Sequence, residues 1–164
     1  MISKVIIQNF KRFKAPTEFA LKPEGVTFLA GGNNSGKSTL LQALAVWEFA
    51  RSVIEVNKGE VALLAGVRGQ GVGVSAEEFS PIALPNLKHL WSDLKVLNGA
   101  AGNGYTLRIR CDWQTAIDPP AYLYLELGLA LSNDRLFLKR TMSNLAGGEA
   151  VPRMAYLPPF AGIT

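Results

Sequence analysis

Gly31-Gly32-Asn33-Asn34-Ser35-Gly36-Lys37-Ser38 matches the spacing G-x-x-x-x-G-K-[ST] at every fixed position, and its flanks decide how the rest of the chain is read. Upstream, Val26-Thr27-Phe28-Leu29-Ala30 is nearly all apolar, the pattern of a strand buried on both faces. Downstream, Leu40, Leu41, Leu44, Ala45 and Trp47 recur at spacings of three and four, which predicts an amphipathic helix to about Ala50 or a little beyond. A glycine-rich turn between a strand and a helix cradles phosphates. Glycines let backbone N–H groups curl around the anion, and the helix N-terminus directs partial positive charge at it. Asn33, Asn34, Ser35, Gly36, Lys37, Ser38 and Thr39 are therefore the nucleotide-binding candidates. Lys37, also the catalytic candidate, is expected to reach the β- and γ-phosphates, and the Ser38 hydroxyl to coordinate Mg²⁺. By analogy with other such loops, Thr39 is placed to donate to the α-phosphate. These groups recognise a triphosphate, ATP with Mg²⁺ being the expected ligand, and leave the base unread.

Working outward, Val5 to Phe10 and Thr17 to Leu21 read as two strands of a hairpin with Ala15-Pro16 at the turn. Asn57 to Asn103 is richer in glycine and proline, with Gly66, Gly69, Gly71 and Gly73 marking an expected mobile surface loop and Leu87 to Leu97 a short helix. Tyr105 to Trp113 alternates apolar and polar residues, as a half-buried strand does, and Tyr122 to Leu131 and Leu136 to Met142 continue the pattern across a turn at Ser132-Asn133-Asp134. A run of antiparallel strands is expected there. Trp47, Trp91 and Trp113 each fall among apolar neighbours and are expected to pack in the interior.

The 164 residues suit one compact domain or part of one, and 48% hydrophobic against 18% charged residues is too apolar for a disordered chain. With one cysteine, Cys111, and one histidine, His89, neither an internal disulfide nor a structural zinc site can be assembled. The first residues lack the apolar core of a signal peptide, and no apolar run approaches a membrane span, so a reduced, cytoplasmic protein is expected. Lys4, Lys11, Arg12, Lys14 and Lys22 stand against Glu18 alone near the start, a cluster that fits either a phosphate backbone or a solvated edge.

Ile6-Ile7-Gln8-Asn9-Phe10-Lys11-Arg12-Phe13 and Gly32-Asn33-Asn34-Ser35-Gly36-Lys37-Ser38-Thr39-Leu40-Leu41, in this order and spacing, resemble the ABC-type ATPases of the SMC, RecF and OLD group. The resemblance implies an α/β fold, a P-loop NTPase head fragment in which an antiparallel β-subdomain packs beside the P-loop strand-helix unit. It also implies ATP sandwiched between two heads of a homodimer, ATP hydrolysis, and work on DNA in repair, chromosome organisation or phage defence. Carried over by position, Arg12 would lie near the ribose or adenine. Tyr156 to Gly162 also looks like a Leu-Pro-Pro-Phe segment of bacterial members of this class, with more of the head following it.

The departures from the family pattern define the expected domain organisation. No apolar strand ends in Asp-Glu to supply a second metal contact and a water-activating carboxylate; Glu126 comes closest but reads as a mid-strand residue. Leu145-Ala146-Gly147-Gly148-Glu149 is similar to a Leu-Ser-Gly-Gly signature, yet Ala146 lacks the hydroxyl and Pro152 interrupts the helix that should follow, so a turn is expected. Gln114 is a loose match to a metal-contacting glutamine, and His89 has no identifiable partner. Residues 1–164 are thus expected to be the N-terminal portion of an ATPase head whose Walker B and signature half lies elsewhere, and to expose apolar edges that later strands cover. The rival is a nucleotide-sensing interaction module that does not hydrolyse ATP. A P-loop kinase or GTPase is disfavoured by the absence of a lid arginine cluster or an Asn-Lys-x-Asp motif.

Overall fold

The computed structural model describes residues 1–64, 71–96 and 104–158. Alternation dominates the fold. In β4 (Leu107–Gln114) the residues Leu107, Ile109, Cys111 and Trp113 are buried while the intervening Arg108, Arg110, Asp112 and Gln114 are only half-buried. On one side β4 pairs antiparallel with β1 (Ile2–Gln8), setting Val5 opposite Cys111 and Ile7 opposite Ile109. On the other it pairs antiparallel with β5 (Tyr122–Ser132), setting Leu125 opposite Cys111 and Leu127 opposite Ile109. One apolar stripe therefore crosses three strands. A turn with Asn133 and Asp134 at positive φ leads into β6 (Arg135–Ser143), which continues the stripe with Leu136 and Leu138. With β2 (Thr17–Ala20) on β1 and β3 (Val72–Val74) on β6, the sheet has the order β2-β1-β4-β5-β6-β3.

The stripe is covered by α1 (Lys37–Lys58), which buries Leu40, Ala43, Val46, Trp47, Ala50 and Ile54. Trp47 fixes the crossing: it is fully buried, and its Nε1 donates to the Leu125 carbonyl at 3.1 Å. That carbonyl lies beside a bulge. Glu126 pairs with Met142 and Leu127 with Arg140, so Thr141 is an extra residue on β6, and its hydroxyl donates to Glu126 Oε1 at 2.7 Å. Arg51, at 4% exposure, is held on the same helix by Glu48 and Glu55. The Glu48 hydrogen bonds, chiefly, keep its guanidinium above the usual range. Glu48 also accepts from the Met154 N–H at 3.2 Å, which binds the segment after β6 to α1. Cys111 is enclosed, and burial pushes its thiol well up, away from the reactive thiolate.

The hairpin, the antiparallel strands, the Ser132–Asp134 turn and the three interior tryptophans agree with the sequence reading. Four expectations need correction. The helix runs to Lys58 and ends at Gly59, φ 76, whose N–H bonds the Glu55 carbonyl. Nothing before Lys58 breaks it: Val53, Ile54 and Val56 lower helix propensity only slightly. The stretch 57–103 is not wholly surface loop. It supplies α2 (Val61–Leu64), the edge strand β3 and buried Leu63, Phe79, Ile82, Leu90 and Trp91; Gly66 and Gly69 lie outside the described residues. The helix expected over Leu87 to Leu97 is two 3-10 turns, Leu87–Leu90 and Ser92–Leu94, separated by Trp91 in extended conformation; Leu97 lies outside the described residues. Trp91 is drawn out of helical geometry by its bridge to Phe10 and its Nε1 bond to Thr106 Oγ1 at 2.9 Å.

The fourth correction bears on fold class. Val26 to Ala30 forms no strand, so the expected strand-helix unit is represented only by its helix, laid directly on the antiparallel sheet. A strand apolar on both faces needs neighbours on both edges and cover on both faces. Among the described residues no strand pairs with it, and Val26, Phe28 and Leu29 are 68%, 87% and 38% exposed.

Candidate functional site

The site begins with chain direction at the start of α1. Asn34 (φ 64) and Gly36 (φ 95) take left-handed conformations on either side of Ser35, whose N–H returns to the Gly32 carbonyl at 3.2 Å, and the backbone curls before entering the helix. Gly36 is the N-cap, with no side-chain capping bond and no acidic residue in the first turn. The helix therefore opens with unsatisfied N–H donors and uncancelled dipole charge, the arrangement that suits an anion. Gly36 is also sterically required. A Cβ there would lie 2.7 Å from Phe13 Cζ and 3.2 Å from Arg12 Cδ, in addition to the strain of its positive φ.

Lys37 closes the loop on itself. Its Nζ donates to the carbonyls of Gly31 and of Gly32 (2.7 Å) and to Ser35 Oγ (3.1 Å). An arriving phosphate would compete with these neutral acceptors for an ammonium that is already centred on the loop.

The second wall comes from the connection after β1. Phe10 and Phe13 exchange backbone hydrogen bonds of 3.0 and 2.8 Å, so Lys11 and Arg12 form the tip of a two-residue turn, with Lys11 at φ 48. Phe10 is buried, and Phe13 meets Phe19 edge-on at 5.2 Å, which anchors the turn on the sheet. Lys11, Arg12 and the run from Asn33 to Thr39 together line an open cleft of about 620 Å³. The sequence-derived nucleotide-binding candidates thus meet in one place: Arg12, Asn33, Asn34, Ser35, Gly36, Lys37, Ser38 and Thr39. Lys11, which the sequence placed only within the basic cluster near the start and not among the nucleotide-binding candidates, joins them at this wall. Its Nζ donates to Gln42 Oε1 at 2.6 Å, and burial pushes its ammonium below the usual value. The available signal was its place beside Arg12 at the end of an apolar strand.

Other candidates lie apart. Glu126 is mid-strand in β5, engaged with Thr141 and 3.9 Å from Arg108. His89 is exposed, its Nδ1 3.2 Å from the Asn86 carbonyl. Gln114 ends β4 and lines a different cleft, beside Trp113. The segment Leu145 to Glu149 is a loop with Gly147 and Gly148 at positive φ and Glu149 accepting from the Ala146 and Gly147 N–H groups. Among the described residues no group of three or more His, Cys, Asp or Glu could hold a metal ion.

A curled loop at an open helix N-terminus, walled by Lys11 and Arg12, is an arrangement that suits an anion. Residues 1–63 match the family model described as AAA ATPase domain, a span that takes in β1, β2, the loop and the whole of α1. Over that span the chain is similar to an AAA-type ATPase, which supports ATP binding and ATPase chemistry. No curated protein and no solved structure matches the chain. No helix among the described residues is long and apolar enough to cross a membrane.

Proposed function

We propose that the chain binds ATP with Mg²⁺ in the cleft between the Gly31–Thr39 loop and the Lys11–Arg12 turn, as the phosphate-binding half of an ATPase head. The observation that carries this reading is the cleft's charge. Lys11, Arg12 and Lys37 line it together with an uncapped 22-residue helix, and no carboxylate is among its described lining residues. Backbone N–H groups from Asn33 to Thr39 hold the phosphates, Lys37 turns from its loop carbonyls to the β- and γ-phosphates, and Arg12 approaches the ribose or adenine. Ser38, on the first turn of α1 and lining the cleft, is the side chain that would hold Mg²⁺. When bound, the ion would supply positive charge to the phosphates.

Hydrolysis is assigned to a completed head of the ABC-type, SMC/RecF/OLD-like kind, acting as a homodimer on DNA in the cytoplasm. Two features support a further part that covers this one. Val26 to Ala30 is nearly all apolar and exposed, pairs with no strand among the described residues, and runs straight into the loop. Beside it, Leu21, Thr27, Leu44 and Trp113 line a cleft of about 900 Å³, and among the described residues the buried Trp113 Nε1 has no hydrogen-bond partner. A second reading, a nucleotide-sensing module that does not hydrolyse ATP, is favoured by the lack of a carboxylate lining the phosphate cleft among the described residues.

Calorimetric titration with Mg-ATP, run beside a phosphate-release assay, tests the proposal. Saturable binding, competed by inorganic tripolyphosphate and not by AMP, with release at background, is the expected result. Equal competition by AMP, or no binding, would overturn it.

A further inference from the structure

Several cations of the chain pair with a carboxylate. Lys4 lies within 4 Å of Glu18 and Asp112, Lys14 of Asp93, Arg51 of Glu48 and Glu55, and Arg110 of Asp112. Lys11 differs: among the described residues its ammonium has no carboxylate within that distance, and its partner is the neutral Gln42 amide at 2.6 Å. Gln42 lies four residues after Ser38 and three after Thr39, hence on the face of α1 that carries those hydroxyls to the cleft. Lys11 is also held at φ 48, an unfavourable conformation for a lysine. The Phe10–Phe13 bonds and a bond from its own N–H to the Leu90 carbonyl at 2.8 Å maintain it.

We propose that Gln42 is a positioning residue: it holds the Lys11 ammonium at the cleft wall by a neutral acceptor, so the cation is oriented and its charge stays available to a polyphosphate. This rests on the triphosphate reading of the cleft. A lysine offers only donors, so Gln42 must present Oε1 to it, and an amide oxygen orients an ammonium without cancelling its charge. A carboxylate at the same place would form an ion pair and spend the charge on the protein itself. Burial of Lys11 strengthens the effect, because a partly desolvated cation is screened less by salt than an exposed one.

The test is titration of the whole chain with Mg-tripolyphosphate at several salt concentrations, for wild type, Gln42→Glu, Gln42→Leu, Lys11→Met and Lys11→Met/Gln42→Leu, with melting temperatures recorded for each. Gln42→Glu is expected to weaken binding about tenfold and to flatten its salt dependence, a slope that a purely structural role would not move. Gln42→Leu is expected to weaken binding in wild type and to add nothing in the Lys11→Met background. Unchanged affinity and slope in Gln42→Glu, or an undiminished Gln42→Leu effect without Lys11, would overturn the proposal. Lys37→Ala separates the two levels. Wild-type binding that Lys37→Ala abolishes, with the Gln42 variants unaffected, removes this inference alone, whereas no wild-type binding at any salt concentration removes the nucleotide reading as well.

Discussion

Lys37→Ala is expected to lower affinity for Mg-ATP by about 30- to 4000-fold, the range for removing one partner of a hydrogen-bonded charge pair. The loss should come with almost no change in unfolding midpoint. Among the described residues the hydrogen bonds of Lys37 Nζ go to loop atoms, the Gly31 and Gly32 carbonyls and Ser35 Oγ, all exposed enough for water to reach when the side chain is gone. The aliphatic core beneath, from Leu40 onward, is untouched. Calorimetry for binding and a thermal melt on the same preparation check both halves. Weakened binding with a large fall in melting temperature would mean that Lys37 supports the fold, and unchanged binding would mean that the ligand is held elsewhere.

Trp47→Ala acts on the opposite end of the scale. The indole is fully buried between α1 and the sheet, and its removal leaves a cavity and takes away the N–H that the Leu125 carbonyl accepts next to the bulge at Thr141. Large-to-small exchange at such a site costs about 3 to 5 kcal/mol. Loss of that buried hydrogen bond adds about 0.5 to 1.5 kcal/mol. Many domains have stability of only about 5 to 15 kcal/mol, so the variant should be unfolded or close to it at room temperature. Trp47→Phe keeps most of the volume and loses only the N–H, and should cost about 0.5 to 1.5 kcal/mol. Urea denaturation of the two variants measures the difference. Equal, small losses in both would show that α1 is not fastened to the sheet through Trp47.

The parts of the fold that sequence exposed best are those decided by local pattern. Leu107, Ile109, Cys111 and Trp113 alternate so regularly that strand and inward face could both be read, and the glycine-rich loop declared its place before α1. Elements governed by distant partners were harder. Trp91 interrupts an apparently helical run because Phe10 and Thr106 hold it from elsewhere in the chain, and Val72 to Val74 becomes a strand only because β6 offers an edge. Val26 to Ala30 shows the same limit in reverse: its composition calls for two-sided burial, but composition cannot supply the neighbours. At the site, the loop residues were legible by spacing. Lys11 was read only as part of a basic cluster, since neither its tight turn nor its contact with Gln42, 31 residues away, shows in local spacing.

Amide hydrogen exchange of the chain with and without Mg-tripolyphosphate tests the central claim most directly, because it reports which backbone N–H groups the ligand covers. Protection confined to peptides spanning Gly31 to Thr39 and Lys11 to Phe13, and absent in Lys37→Ala, is the predicted result. Protection at another surface, or saturating ligand with no protection in the loop, would contradict the assignment of this cleft as the phosphate site.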